Sequence, residues 1–204
     1  NVDYIFQGHA EERARAFIRL LLEGDTDGIR RFPGAGFRGP DGTQINPVKT
    51  YISDVAGQVQ VDYSKIDLTR YLRQNAGHYQ FNSKSKLGAS IITSYGCPYN
   101  CVFCATRTIS GRGIAFRPIE DILEEIDFLV NDHGVGHITF VDDNLTVKRS
   151  RIETLLNAFI EKKYTFKWKV ASVAAWTLDE PLLKRMKQTG CHQLTISVES
   201  GNPR

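Results

Sequence analysis

From Leu87 onward the sequence predicts an α/β fold built on a parallel sheet, and three observations carry that prediction. Short apolar runs of strand length alternate with longer runs of helical period. Cap residues and glycines bound the helical runs. Three of the four strand ends are followed by polar residues able to bind a ligand, as expected where crossover helices bring all strand ends to one rim.

The elements can be taken in order. Leu87 to Thr93 reads as the first strand. Pro118 opens a helix whose apolar residues Ile119, Ile122, Leu123, Ile126, Leu129 and Val130 share one face, and Gly134 closes it. His137 to Val141 is the second strand. Ser150 and Glu153 form an S-x-x-E capping box ahead of Ile152, Leu155, Leu156, Phe159 and Ile160. Phe166 to Ala174 is the third strand. Thr177 and Glu180 repeat the box, with Pro181 in the first turn, and Gly190 ends that helix. Leu194 to Val198 is the fourth strand.

Upstream, Val2 to Phe6 reads as a strand ending at Gly8. Ala10 to Leu22 reads as a helix with Ala14, Phe17, Ile18, Leu21 and Leu22 on one face, ended by Gly24. Residues 1–24 thus read as the last strand and helix of a domain that begins earlier. Residues 25–86 are dense in turn formers and read as a connector packed on the downstream strands and helices. "RRFPGAGFRGPDGTQINP" predicts a hairpin turning at Pro40-Asp41-Gly42, and "DYSKIDLTRYL" one or two helical turns. Residues 87–204 form the third division. A chain that opens on Asn and stops just after a strand reads as a segment of a longer protein. Its last strand is then an open sheet edge, so the isolated chain is expected to associate or to dissolve poorly.

Composition narrows the function. Hydrophobic residues at 41% and charged residues at 24% suffice for a globular core. No apolar run approaches the roughly 18 residues that read as a membrane span. The first stretch, charged almost from its start, does not read as a signal peptide. The net charge of +3, with basic and acidic residues interleaved, gives no nucleic-acid signal.

After the first strand comes "SYGCPYNCVFCATR", with Cys97, Cys101 and Cys104 in C-x3-C-x2-C spacing; the fourth cysteine, Cys191, is remote. Disulfides favour cysteine-dense secreted domains, which this chain does not resemble, so a reducing cytosol is the expected compartment. Structural zinc wants four ligands, and neither Cys191, on the opposite rim, nor any of the five histidines has ligand-pair spacing. Iron–sulfur clusters take closely spaced thiolates in a loop, and three thiolates on a four-iron cluster leave one iron open. "VDDNLT" follows the second strand with Asp142, Asp143 and Asn144. "VESGN" follows the fourth with Glu199 and Ser200.

C-x3-C-x2-C after a first strand, with Phe103 before the last cysteine, resembles the radical S-adenosylmethionine (radical SAM) enzymes over about residues 87–204. The resemblance implies a partial (β/α) barrel, of which the first four strands are present. It also implies a 4Fe–4S cluster held by Cys97, Cys101 and Cys104, with S-adenosylmethionine (SAM) on the open iron. Phe103 would lie beside the adenine. Asp142, Asp143 and Asn144 occupy the place of the family's Gly-Gly-Glu motif, which contacts the SAM amino group, and they depart from it. Glu199 and Ser200 match the motif for the ribose and methionine parts, and Ser172 is the third strand's candidate. The upstream part resembles the subgroup with a cobalamin-binding Rossmann-like domain, whose end would be residues 1–24; no D-x-H-x-x-G motif is present.

The implied chemistry is reductive SAM cleavage to a 5′-deoxyadenosyl radical that abstracts hydrogen from a substrate. A low-potential donor such as flavodoxin or ferredoxin would reduce the cluster. Cobalamin would make the outcome methyl transfer or a rearrangement. The alternatives are a radical SAM oxidoreductase or methylthiotransferase without cobalamin, and a non-catalytic iron–sulfur or zinc module. Plainer readings hold elsewhere: Cys191 as a small buried hydrophobe, Trp168 and Trp176 as packing residues, and Arg112 and Arg117 as solvated loop arginines.

Overall fold

A computed structural model of the chain describes residues 2–39, 42–48, 51, 55, 62–78 and 87–201, with the side chains of residues 12 and 74–78 excepted. In chain order the elements begin with β1 (Tyr4–Phe6), α1 (Glu11–Glu23), α2 (Thr26–Arg30), β2 (Ala35–Gly39) and β3 (Gly42–Ile45). A 3-10 turn (Tyr63–Lys65), α3 (Leu68–His78), β4 (Gly88–Ile91), β5 (Ser94–Tyr95), α4 (Thr106–Ser110) and β6 (Ala115–Phe116) come next. Then come α5 (Ile119–Asp127), a π-helical turn (Phe128–Asp132), β7 (His137–Phe140), α6 (Arg149–Glu161) and β8 (Lys167–Val173). A 3-10 turn (Ala175–Thr177), α7 (Glu180–Gln188) and β9 (Cys191–Ile196) complete the order. Two compact units result: residues 1–53 with 96–114, and residues 54–95 with 115–204.

In the first unit β1, β2 and β3 form an antiparallel sheet, so the expected hairpin is present; Pro40 and Asp41 of its turn lie outside the described residues. Phe17 of α1 is buried among Tyr4, Phe6 and Phe32 in edge-on ring contacts. The predicted apolar face of α1 is only partly used. Ile18, Leu21 and Leu22 are exposed, because the aromatic cluster reaches no further than Phe17 and Leu20. Gly24, in the left-handed region, ends α1: its N–H bonds Leu21 O while that of Asp25 bonds Leu20 O.

The second unit is a four-stranded parallel sheet in the order β4-β7-β8-β9, with α5, α6 and α7 as successive crossovers. One sheet face carries Ala89, Ile91, Ile138, Phe140, Trp168 and Val170. It packs against Ile122 and Ile126 of α5, Leu155, Leu156 and Phe159 of α6, and Leu182 and Met186 of α7. Each of these larger side chains contributes roughly 1.5–3 kcal/mol by leaving water. Trp168 keeps its polar edge satisfied by donating from Nε1 to Thr189 O at 2.9 Å. Among the described residues no helix is long and apolar enough to cross a membrane.

Several local expectations need correction. The Ser150/Glu153 capping box does not form: α6 begins at Arg149, and Glu153 is taken by Arg149 Nε at 2.6 Å. For α7 the cap is Asp179, whose carboxylate accepts from Leu182 N–H at 2.8 Å, while Thr177 Oγ1 donates to Ala174 O. "TLDEP" offered both caps, and an aspartate is the better acceptor. Helix α3 runs three turns rather than one or two. Strand β9 begins at Cys191, three residues earlier than expected. Trp176 is exposed, and Cys191 is only half-buried, with burial pushing its thiol up to about 11.

Candidate functional site

The cysteine segment belongs to the first unit, and its chain ends continue into β5 and β6, which pair antiparallel in the second. Gly96 opens it with φ +88°; a Cβ there would lie 2.6 Å from Gly113 O, so only glycine lets the segment's two ends approach. Cys104 N–H donates to Cys101 O at 3.1 Å, closing the C-x2-C pair into one turn. The Cys104 thiol donates to Thr106 Oγ1 at 3.2 Å and accepts from Thr106 N–H at 3.5 Å. Hydrogen bonds to sulfur are among the features that tune iron–sulfur sites. Val102 is fully exposed and Phe103 is 68% exposed, so the apolar residues between the last two thiols face outward. His9 Nε2 lies 2.9 Å from Ser110 Oγ, which secures the segment's short helix α4 to the N-terminal part of the same unit.

None of the four cysteines is in a disulfide; Cys97 and Cys101 are half-buried and Cys104 is exposed. Among the described residues no three His, Cys, Asp or Glu side chains gather closely enough to hold one metal ion. A mononuclear site needs such a gathering, whereas a four-iron cluster takes its thiolates on separate irons. Three reduced, accessible thiols in one segment are the donor set that such a cluster requires, so the residues fit the group.

In the second unit, the carboxyl ends of β4 and β7 are tied by Asp142. Its buried carboxylate accepts from Thr93 N–H at 3.1 and 3.2 Å, from Thr93 Oγ1 at 2.6 Å and from Ser94 Oγ at 2.6 Å. Burial pushes the Asp142 carboxyl above its ordinary value, and the bonds from Ser94 and Thr93 offset part of that push. Arg151 secures the same corner by donating to Thr93 O at 3.3 Å and to Arg117 O, with its guanidinium 4.9 Å over the Phe116 ring. Arg117 is no solvated arginine: it donates to Ile92 O at 2.8 Å and pairs with Glu125 at 2.7 Å, both side chains mostly buried. Glu125 also accepts from Tyr63 OH at 2.6 Å. Sequence reasoning missed Thr93, Ser94, Arg151 and Glu125; no local motif marks them.

Asp143 is exposed beside this clamp. Asn144 is buried, its Oδ1 accepting from Thr146 Oγ1 at 3.2 Å and from Ala174 N–H at 3.5 Å. Its Nδ2 is buried without a hydrogen-bond partner among the described residues. Ser172 lies where the β8–β9 register slips between Val170 and Val173, a bulge of the kind that re-aims side chains. Glu199 and Ser200 follow β9 as exposed residues. Asp142 to Asn144, Ser172, Glu199 and Ser200 all sit toward the carboxyl ends of parallel strands, hence on one rim of this unit.

The model of the radical SAM superfamily matches residues 91–204. The chain belongs to the radical SAM superfamily. It is 32% identical to an uncharacterized methyltransferase of Pyrococcus horikoshii over 56% of this chain and 25% of that protein. It is 26% identical to the cytidylyl-2-hydroxyethylphosphonate methyltransferase of Streptomyces wedmorensis over 80% of this chain and 30% of that one. The radical SAM methyltransferase TsrM of Kitasatospora setae, solved with cobalamin and a [4Fe-4S] cluster, shares the fold. Its TM-score is 0.73 at 19% identity, over 98% of this radical SAM chain and 38% of TsrM. The chain thus spans about a quarter to a third of the length of these curated relatives.

Proposed function

We propose that this radical SAM chain is the cluster- and SAM-binding part of a methyltransferase that also uses cobalamin. The carrying observation is the segment with three reduced thiols at the family's spacing, entered from the carboxyl end of the first sheet strand. Methyl transfer is supported by the two curated relatives, and cobalamin by the solved TsrM structure. Residues 1–24 would then end an upstream cobalamin-binding unit, with residues 25–86 as connector and 87–204 as the core.

Cys97, Cys101 and Cys104 would hold the cluster. When bound, the cluster supplies an electron to the SAM sulfonium. The chain's own residues bind and orient. Asp142, its oxygens already taken by Thr93 and Ser94, acts by position. The exposed Asp143 carboxylate suits the SAM ammonium, and the orphan Asn144 Nδ2, a donor, suits a carboxylate oxygen. Ser172, Glu199 and Ser200 would serve the ribose and methionine parts, and Phe103 the adenine. A flavodoxin or ferredoxin would supply the electron, and a cluster held by three thiolates suits a reducing, cytoplasmic setting.

The test is full-length protein, assembled without oxygen. Wild type is expected to bind iron and sulfide, to consume SAM on reduction, and to retain cobalamin supplied during expression, seen by its absorption. Cys101→Ala is expected to lose cluster and SAM consumption while melting like wild type before iron is added. A Cys101→Ala protein that kept both would overturn the reading.

A further inference from the structure

The sheet face opposite the helices is polar. Register pairs Ser90 with Thr139, Thr139 with Lys169, and Lys169 with Gln193, one residue from each of the four strands. Paired residues point to the same face, so these four form a row. His137, two residues before Thr139, lies on that face too. His192 is the extra residue where the β8–β9 register slips between Trp168 and Lys169, and its ring meets that of His137 edge-on at 4.9 Å.

Three members are deeply buried: His137 at 7% exposure, Thr139 at 0% and Lys169 at 6%. Among the described residues, Thr139 Oγ1 and both ring nitrogens of His137 have no hydrogen-bond partner. Burial, the neighbouring His192 and then Lys169 bring the His137 ring down to about 4, so it is neutral at ordinary pH, with one N–H to donate. Burial also draws Lys169 below the ordinary lysine range. Buried, unused donors are costly until an acceptor shares their space, and the cation beside them favours an acceptor of negative charge.

We propose that Thr139, Lys169 and His137 on this face form a binding site for a carboxylate. Thr139 Oγ–H and the His137 N–H donate to its oxygens, and Lys169 supplies the charge. The site lies on the body of the sheet, away from the rim assigned to SAM, and its test needs neither cluster nor SAM. The carboxylate comes either from elsewhere in the same polypeptide or from a free ligand, and one experiment separates the sources.

Full-length wild type, Lys169→Met and Thr139→Val are melted in sodium acetate and in sodium chloride at equal ionic strength. With a carboxylate from the polypeptide, both variants melt at least about 2 °C below wild type in both salts, and Lys169→Arg recovers most of the loss. With a free carboxylate, acetate raises the melting temperature of wild type over chloride and does not raise that of either variant. Thr139→Val keeps the shape of the side chain and removes only the hydroxyl, so it remains readable should Lys169→Met fail to fold. If Thr139→Val melts at or above wild type in both salts and acetate has no effect, the hydroxyl faces no acceptor and the proposal is overturned.

Discussion

One face of the parallel sheet carries Ile138, Phe140, Trp168 and Val170; the other carries His137, Thr139 and Lys169, buried to a similar depth. On the first face the large side chains meet apolar partners from three helices, and the polar Trp168 Nε1 is satisfied. On the second face, among the described residues, Thr139 Oγ1 and the His137 ring nitrogens are buried and unmatched. Equal burial therefore has opposite meaning on the two sides. Apolar burial is already complete and stabilises the fold, while the buried Thr139 hydroxyl and His137 ring nitrogens are the groups that the proposed carboxylate would satisfy.

That contrast is open to direct attack. The largest effect is expected on the helix side: Trp168→Ala should cost about 3–5 kcal/mol in denaturant unfolding, since it opens a cavity and strips Thr189 O of its donor. A loss under about 1 kcal/mol would mean the helix face is not the main source of stability. At the strand ends, where the buried Asp142 oxygens are matched, Asp142→Asn should cost about 1–3 kcal/mol, because the amide nitrogen that replaces Oδ2 cannot accept from Thr93 N–H and is itself a buried donor facing a donor. A neutral result there would place the clamp among dispensable contacts.

The smallest effect is on the polar face and is read by pH. His137 is held down at about 4 when folded, so between roughly pH 6.5 and 4 the unfolded chain binds the extra proton. Its contribution to stability is present above the unfolded value and is lost as acid is added through that window. His192, Lys169 and Lys167 adjoin the ring, and none supplies a negative charge to reverse the sign. His137→Gln should flatten that part of the stability curve. An unchanged slope would show that the ring titrates normally.

Much of this architecture was legible because strand and helix periods differ, and the switch between them recurs from Leu87 to β9. The cysteine spacing was legible as chemistry. The Asp142 clamp was not, since its partners lie 48 and 49 residues away in sequence and no local pattern joins them. Helix α1 misled because amphipathic period predicts a face without saying how much of it is covered, and Ile18, Leu21 and Leu22 are not. The polar sheet face did leave a trace: "HITF" and "KWKV" alternate, whereas strands apolar on both sides read as continuous runs. That alternation was there to be used.

Gly96 has a consequence beyond its own turn. With Gly113 O only 2.6 Å and Ser110 Cβ 3.1 Å from where a methyl group would sit, the mouth of the cysteine segment is closed tightly around Gly96. Nothing as small as an alanine fits between its lips, so an ordinary side chain there would prise the ring of residues open at its neck. The spacing of three sulfurs would then fail for a reason written in none of the three cysteines.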